Sequence, residues 1–265
     1  MQLHSLAIKT DLIFARFNGE VIDRESYLVI RTPSNCGYHW GNYLVFPGPP
    51  ERGDEKRWPA LFKQEFNDLA GINHIAFTWD MATPGSFTES FVSKGFNFES
   101  NKVLAATRIQ LPPKINSEVT IKKIESDPEW EVVTLEQLGV NEKYEPIKYE
   151  KFKRSQMANY RKMVVAGLGN WFGAFLGGRL VADLGVFCDD SVARFQSVVT
   201  QPAYRRQGIC GRMVYETAKF ALENFKAETL VMVADENYHA AKIYESVGFV
   251  PVQSNYTLAW WNDKL

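Results

Sequence analysis

The sequence predicts an α/β (α+β) protein in which helices flank a mixed, mostly antiparallel sheet. Two observations support this prediction. Along residues 119–261, the pattern predicts a strand, two helices, three strands, a helix, a strand, a helix and one or two closing strands. In the first half of the chain, four segments repeat the second half at a nearly constant spacing. A degenerate, partial copy of the same fold therefore precedes the complete one.

Length and composition allow one large domain or two small ones. The chain has 265 residues, of which 45% are hydrophobic and 14% aromatic, so it can fill a sizeable core. Thirty Lys and Arg residues against 31 Asp and Glu residues give a net charge of −1. This balance removes the overall attraction on which nonspecific nucleic-acid binding depends. We expect no nucleic-acid partner, although the overall charge does not exclude a local basic patch.

Cysteine usage and apolar runs predict a cytoplasmic protein. Cys36, Cys188 and Cys210 cannot all pair within one chain and lack the spacing of metal ligands, which fits a reducing compartment and no metal site. The first residues lack the pattern of a signal peptide, and no apolar run reaches the roughly 18 residues that span a bilayer. We expect no membrane association. The sequence is compatible with a homodimer but does not indicate the oligomeric state.

A proline pair marks a boundary within the chain. Pro112 and Pro113 oppose helix and strand pairing just before an alternating strand at 119–124. We therefore predict domains at 1–112 and 113–265. Apolar residues at helical spacing predict helices at 128–138 and 147–165.

An antiparallel meander follows the two helices. Its predicted strands span 171–176, 179–188 and 192–200, and Gly177-Gly178 and Asp189-Asp190 suit the left-handed dihedrals of tight hairpin turns. The remaining pattern predicts a helix at 208–225, a strand at 229–234, a helix at 237–247 ended by Gly248, and closing strands at 249–261.

The internal repeat has a spacing of about 154 residues. Residues 44–66 align with 198–220, and the strand at 74–80 aligns with 229–235. Two shorter matches, of 91–96 with 244–249 and of 100–105 with 254–259, keep the same spacing within two residues. Coincidence does not readily produce four such matches, so we interpret the first half as a degenerate duplicate.

Residues 201–212 have the composition of a phosphate-binding loop. They lie between a strand and a long helix, whose first amide groups have no partner inside the helix and attract anions. Gly208 allows the backbone to approach the anion closely, and Arg205 and Arg206 add charged hydrogen-bond donors. We predict a pyrophosphate site here. A loop whose arginines merely solvate the helix start is the alternative.

This loop resembles the Arg/Gln-x-x-Gly-x-Gly/Ala motif of the GNAT superfamily of acetyl-CoA-dependent N-acetyltransferases. Arg205, Gly208 and Cys210 occupy the three motif positions, Asn237 precedes the later helix, and residues 240–249 continue the resemblance. Cys210 stands where the family has a smaller residue. The resemblance implies a GNAT fold over residues 119–261, with acetyl-CoA as co-substrate. The implied cofactor-binding residues are Val198, Val199, Thr200, Arg205, Arg206, Gln207, Gly208, Ile209, Cys210, Gly211 and Asn237.

The resemblance also implies direct transfer of an acetyl group to the primary amine of a small-molecule or peptide acceptor. A backbone amide between Val198 and Thr200 would stabilise the oxyanion, and Tyr244 occupies the family position of the general acid. Met232 stands where many members carry a glutamate base. Substitutes for that base are Asp183, His239 or water reaching Asp235, and the sequence does not rank them. The alternative function is an acyl-CoA sensor or scaffold without turnover.

The first half lacks the residues of this chemistry. Acidic residues within 51–56 align with the phosphate loop, and Phe91, which has no proton to give, aligns with Tyr244. We therefore predict a non-catalytic first half that completes the fold and walls the acceptor pocket. The aromatic-rich residues 36–43 could line that pocket, although packing in a core or at a sheet edge is the stronger expectation.

Overall fold

A computed structural model describes residues 1–140, 145–236 and 240–261. The chain divides into two compact units, Leu104–Val252 and a unit that combines Met1–Val103 with the segment from Gln253 onward. The structural units thus differ from a linear division after residue 112, because the closing strand pairs within the first unit. The functional division into 1–112 and 113–265 stays a prediction.

The first unit begins with a helix and ends, before the second unit, in a long strand. Its elements in chain order are α1 (Leu6–Asn18), β1 (Glu20–Asp23), β2 (Leu28–Arg31), 3₁₀ turns at Pro33–Asn35 and His39–Gly41, β3 (Tyr43–Phe46), α2 (Asp54–Glu65), β4 (His74–Trp79), α3 (Glu89–Val92) and β5 (Asn97–Ala106).

The second unit follows the predicted order of elements closely. They are β6 (Thr120–Lys123), α4 (Asp127–Leu138), α5 (Pro146–Val165), β7 (Gly169–Leu176), β8 (Arg179–Asp189), β9 (Val192–Thr200), a 3₁₀ turn at Pro202–Tyr204, α6 (Ile209–Asn224), β10 (Thr229–Asp235) and α7 (Ala240–Val247). The closing strand β11 (Val250–Trp261) starts at the end of this unit, and its residues from Gln253 onward belong to the first unit.

Strands of the second unit pair in the order β6-β7-β8-β9-β10. The first three pairs are antiparallel and β9 runs parallel to β10, which confirms the predicted mixed and mostly antiparallel sheet. Gly177 and Gly178 have φ values of 56° and 85°, and Asp190 has a φ of 50°. These left-handed dihedrals make the two hairpin turns that the sequence predicts.

The apolar face of α6 covers this sheet. Its residues at spacings of three and four are buried, as the amphipathic pattern predicts. Met213, Val214 and Ala218 have exposed fractions of at most 1% and pack in one cluster with Leu230 and Phe249. Burial of each large side chain contributes about 1.5–3 kcal/mol. The core therefore fixes the start of α6 relative to the ends of β9 and β10.

The first unit has an aromatic core and its own parallel strand pair. β1, β2 and β3 are antiparallel neighbours, β3 runs parallel to β4, and β11 pairs antiparallel with β4. Trp58, Phe62, Phe77 and Phe91 are at most 2% exposed and pack together. None of the helices in the described part of the chain combines the length and apolar composition that crossing a bilayer requires.

Candidate active site

The central feature of the second unit is a cleft between two parallel strands. β10 pairs with β9 only from Thr229 to Val231, opposite Val192 to Arg194. Beyond these residues the strands separate, and the last residues of both line one cavity. Backbone groups at the end of β9 are therefore available to a ligand instead of to a neighbouring strand.

A β-bulge shapes the end of β9. The register with β8 shifts between Asp183 and Gly185, and Ser197 opposite this shift has a φ of 50°. Ser197, in this left-handed conformation, is the extra residue of a β-bulge, and such a bulge bends the strand. Because bonded and non-bonded positions alternate in an antiparallel pair, the register that places Val199 opposite Asp183 directs the Thr200 N–H away from β8.

The start of α6 forms the anion-binding side of the cavity. Gly208 is its N-cap with a φ of 80°, a conformation that other residues rarely adopt. The first amide groups of α6 have no partner inside the helix, and the helix dipole adds positive potential at this end. Arg205 and Arg206 are exposed beside it. A built Cβ at Gly208 would lie 3.0 Å from the backbone of Lys114 and Ile115, so the loop and the segment after the proline pair fit closely.

The cavity has a volume of about 780 Å³, within the roughly 300–1,000 Å³ of ordinary ligand sites. Ten of the predicted site residues line it, and all of its lining residues belong to the second unit. Those ten are Val198, Val199, Thr200, Arg205, Arg206, Gly208, Ile209, Cys210, Gly211 and Tyr244.

Two predicted cofactor residues are not among the lining residues. The Gln207 amide group donates to the Ala203 carbonyl over 3.2 Å, so its exposed side chain stays within the loop. Asn237 lies outside the described residues, as does His239, one of the substitutes for the missing base. The assignment of all these residues to coenzyme A stays a prediction.

Two ionisable side chains in the cavity wall, Tyr244 and Asp235, suit acid–base chemistry. Tyr244 lies on α7 and is 6% exposed, and Asp235 ends β10. Among the described lining residues, Asp235 is the only carboxylate. Met232 lines the cavity and is 2% exposed, so the position of the usual base contributes an apolar wall.

Asp183, another of the substitutes for the base, is fully buried and is not a lining residue. Gln137 and Trp171 donate to its Oδ1 over 2.7 and 3.0 Å. Burial raises the pKa of Asp183 to about 7, against the lowering effect of these two donors and of the Lys153 charge. Lys153 is itself buried, and this lowers its pKa to about 8.

The Cys210 thiol at the third motif position is not ionised at neutral pH. Burial raises its pKa to about 11, against the lowering effect of a hydrogen bond with Thr200. A neutral thiol is a poor nucleophile, so Cys210 acts here as a small wall residue.

Sequence reasoning missed Lys114 as a residue of this site. Its ammonium group donates to the Arg206 carbonyl over 2.6 Å, and the side chain lines the cavity beside Arg205. Arg212 donates to the Asn116 carbonyl over 2.5 Å and holds the same segment against α6. The proline pair signalled a boundary but gave no sign that the following lysine returns to the phosphate loop.

The corresponding helix start in the first unit holds a carboxylate of its own. Gly53, with a φ of 94°, is the N-cap of α2. Asp54 is 4% exposed and accepts from the Glu51 N–H over 2.8 Å and from Arg57 over 2.7 Å. A negative charge thus lies where a phosphate would have to bind. That the first half does not bind coenzyme A stays a prediction.

Residues 36–43 pack within the first unit. The 3₁₀ turn at His39–Gly41 precedes Tyr43, which is 2% exposed in an apolar cluster that Trp40 also joins. This agrees with the packing expectation. A role of the first half in walling the acceptor pocket stays a prediction.

Comparison with known proteins agrees with this geometry. Residues 167–251 match the sequence model of the acetyltransferase (GNAT) domain. Among curated proteins, no sequence matches the chain.

Solved structures share the fold at low sequence identity. A functionally unknown conserved protein from Staphylococcus epidermidis is 13% identical with a TM-score of 0.72, covering 93% of this chain and 95% of that one. A GCN5-related N-acetyltransferase from Kribbella flavida is 14% identical with a TM-score of 0.67, covering 96% and 95%. A tandem GNAT protein from the clavulanic acid biosynthesis pathway is 13% identical with a TM-score of 0.55, covering 83% and 75%.

These matches confirm the resemblance seen in the sequence. The domain match spans the meander, the phosphate loop and the later helix, which are the segments that build the cleft. Residues 167–251 therefore match the acetyltransferase (GNAT) domain in sequence, and the chain shares its fold with solved GNAT structures.

Proposed function

We propose that the protein transfers an acetyl group from acetyl-CoA to the primary amine of an acceptor, by direct attack in a ternary complex. The observation that supports this proposal is the single cavity that joins the start of α6 to the open end of β9. One end offers positive potential for a diphosphate, and the other offers unpaired backbone donors for a carbonyl oxygen. The acceptor stays unidentified.

The residues at the start of α6 fit the phosphates of coenzyme A. Gly208 brings the helix amides close to the cavity, and Arg205 and Arg206 supply positive charge. Among the described lining residues, the only carboxylate is Asp235 at the end of β10. Gly211 is buried and lines the cavity, and a built Cβ there would lie 3.4 Å from Pro112, an ordinary van der Waals distance. Acetyl-CoA bound here would supply the thioester, which is an activated acetyl donor.

The open end of β9 fits the reacting carbonyl. As the amine attacks the carbonyl carbon, a C–N bond forms and negative charge builds on the oxygen. In this proposal the Val198 N–H donates to that oxygen. Removal of one such donor from an acyl-transfer site typically lowers kcat by about 10²–10³.

Proton transfers complete the reaction. Tyr244 donates its phenolic proton to the thiolate as the C–S bond breaks. Asp235, directly or through water, accepts the proton that the amine loses. That proton returns through solvent to the Tyr244 phenolate, so both side chains regain their starting states. The products are the N-acetylated acceptor and coenzyme A with a free thiol, so atoms and charge balance.

The proposal is tested by mixing purified protein with acetyl-CoA and a panel of amines while the free thiol is followed. The panel contains small amines, amino acids, antibiotics and peptides with free amino termini. A thermal-shift screen in saturating coenzyme A selects the panel, because a ligand of the folded state raises the apparent stability. We expect thiol release with one chemical class of amine.

An acyl-CoA sensor is the second candidate, and Met232 favours it. This buried apolar side chain occupies the position of the usual base. Coenzyme A binding without thiol release across the whole panel would support the sensor and contradict the transferase.

A further inference from the structure

A network of buried polar side chains adjoins the cleft of the second unit. Gln137, in the last turn of α4, is 1% exposed, and Asp183 on β8 is 0% exposed. The Gln137 amide nitrogen donates over 2.7 Å to Asp183 Oδ1 and over 3.0 Å to the Ser197 carbonyl oxygen. A side-chain amide carries two hydrogens on its nitrogen, and each of the two acceptors takes one.

The carboxylate determines which way the amide of Gln137 faces. Asp183 Oδ1 accepts both from Gln137 and, over 3.0 Å, from the Trp171 indole. Without this acceptor the amide could rotate by half a turn and present its own oxygen to the Ser197 carbonyl, which would break the contact. Asp183 Oδ2 has no hydrogen-bond partner among the described residues, so Oδ1 alone holds the Gln137 amide in this orientation.

Ser197 is the residue of the bulge, and its carbonyl is coupled to the next amide group. The chain contains no cis peptide bond among its described residues. In a planar trans peptide, the C=O of one residue and the N–H of the next point in opposite directions. A bond that fixes the Ser197 carbonyl therefore also fixes the direction of the Val198 N–H, and Val198 lines the cavity.

We propose that Asp183 and Gln137 are positioning residues that aim the Val198 N–H at the thioester oxygen by holding the Ser197 carbonyl. The inference rests on the proposed function. Serine at a φ of 50° is strained by comparison with glycine, so the bulge needs an external contact to hold one geometry. Gln137 supplies that contact from a packed helix.

The experiment compares four variants in the full chain. Gln137→Met and Asp183→Leu break the contact to the Ser197 carbonyl and to Gln137, respectively. Asp183→Asn keeps the Oδ1 acceptor and removes the charge. Gln156→Met is the matched control, because Gln156 is also a buried glutamine of this layer, 7% exposed, but donates nothing to Ser197 and instead accepts from Lys153.

We expect Gln137→Met and Asp183→Leu to lower kcat by about 10- to 100-fold, somewhat less than complete loss of an oxyanion donor, while KM for acetyl-CoA changes less than about threefold. Asp183→Asn and Gln156→Met should retain kcat within about threefold. Equal losses in Asp183→Asn and Asp183→Leu would instead make Asp183 a base and overturn the inference. Unchanged kcat in folded Gln137→Met would overturn it too.

A second measurement separates this inference from the proposed function. In valine-labelled protein, the Val198 amide resonance should shift on addition of acetyl-CoA to the wild type and to Asp183→Asn, but much less in Gln137→Met. If the wild type releases no thiol yet shows this pattern, the transferase proposal fails and the positioning role holds. If thiol is released but the Val198 resonance responds equally in all variants, the positioning role fails alone.

Discussion

Trp58 stacks on Phe46 with ring centroids 3.8 Å apart and ring planes inclined by 5°. Phe46 ends β3, and pairing with β4 continues to this residue, where the Asp80 N–H donates to the Phe46 carbonyl over 2.9 Å. In the second unit, the aligned pair of parallel strands separates after three residues. In the described part of the first unit, aromatic rings therefore fill the position at which the second unit has a cleft.

The first prediction concerns this stack. Trp58→Ala should lower the free energy of unfolding of the first unit by about 3–5 kcal/mol, because Trp58 is 1% exposed and its loss leaves a cavity among aromatic side chains. Chemical denaturation followed by circular dichroism measures the loss. Trp58→Phe serves as the control, since it keeps a ring over Phe46 and should cost clearly less. A loss below about 1 kcal/mol in Trp58→Ala would contradict the role of this stack.

The second prediction tests the general acid. Tyr244→Phe keeps the ring and its packing on α7 but removes the proton donor. We expect kcat to fall by about 10²–10⁴, while coenzyme A affinity measured by calorimetry stays within about twofold.

Tyr215→Phe is the matched control for Tyr244. Tyr215 lies on α6, packs against the same apolar cluster and does not line the cavity. Its variant should turn over like the wild type. Full turnover of Tyr244→Phe with the true acceptor would remove Tyr244 from the mechanism.

Much of the second unit could be predicted because its signals are local. Two adjacent glycines force a tight turn between predicted strands, and Gly208 ahead of an amphipathic helix marks the phosphate loop. The same local logic did not predict α1, whose packing face is visible only once the sheet beneath it is known. Ser5 is the N-cap of this helix, and its backbone N–H donates over 2.7 Å to Oδ1 of Asp80, which lies 75 residues away in the sequence.

The contacts that shape the site are not local in sequence. Ser197 has no composition signal for a positive φ, because glycine and not serine marks that conformation. Gln137 looks like an ordinary polar residue of an amphipathic helix, and its contact with Ser197 spans 60 residues. Lys114 reaches Arg206 across 92 residues. Such pairs follow from the packing of the sheet and cannot be read from spacing.

The third prediction concerns pH and His74 in the first unit. His74 is 2% exposed, its Nε2 lies 2.9 Å from the Asn42 carbonyl, and burial, followed by the charge of His39, lowers its pKa to about 3. Between this value and the ordinary pKa of about 6.5, the unfolded chain binds a proton that the folded protein does not. The stability that neutral His74 contributes is therefore present above pH 6.5 and is lost as the pH falls toward 3.

Chemical denaturation at pH 6.5 and pH 5 measures this effect. The free energy of unfolding of the first unit should fall by about 2 kcal/mol more in the wild type than in His74→Gln, at roughly 1.4 kcal/mol per pH unit. The variant has no imidazole and controls for the carboxylates that titrate over the same range. Equal pH dependence in both proteins would show that His74 binds a proton equally in the folded and unfolded states, and would contradict the prediction.

The fourth prediction tests Lys114 as a phosphate-binding residue of the second unit. Its ammonium group is exposed at the cavity rim and bonds to the Arg206 carbonyl, so it can add a third cation beside Arg205 and Arg206. Lys114→Met should weaken coenzyme A binding about two- to fivefold, as expected for one exposed charge contact, and should reduce its salt dependence.

Pantetheine, which lacks the phosphates of coenzyme A, should bind the wild type and Lys114→Met equally. Lys219→Met, on the exposed face of α6 outside the cavity, is the control and should bind coenzyme A like the wild type. Equal coenzyme A affinity and salt dependence in Lys114→Met and Lys219→Met would place the phosphates away from Lys114.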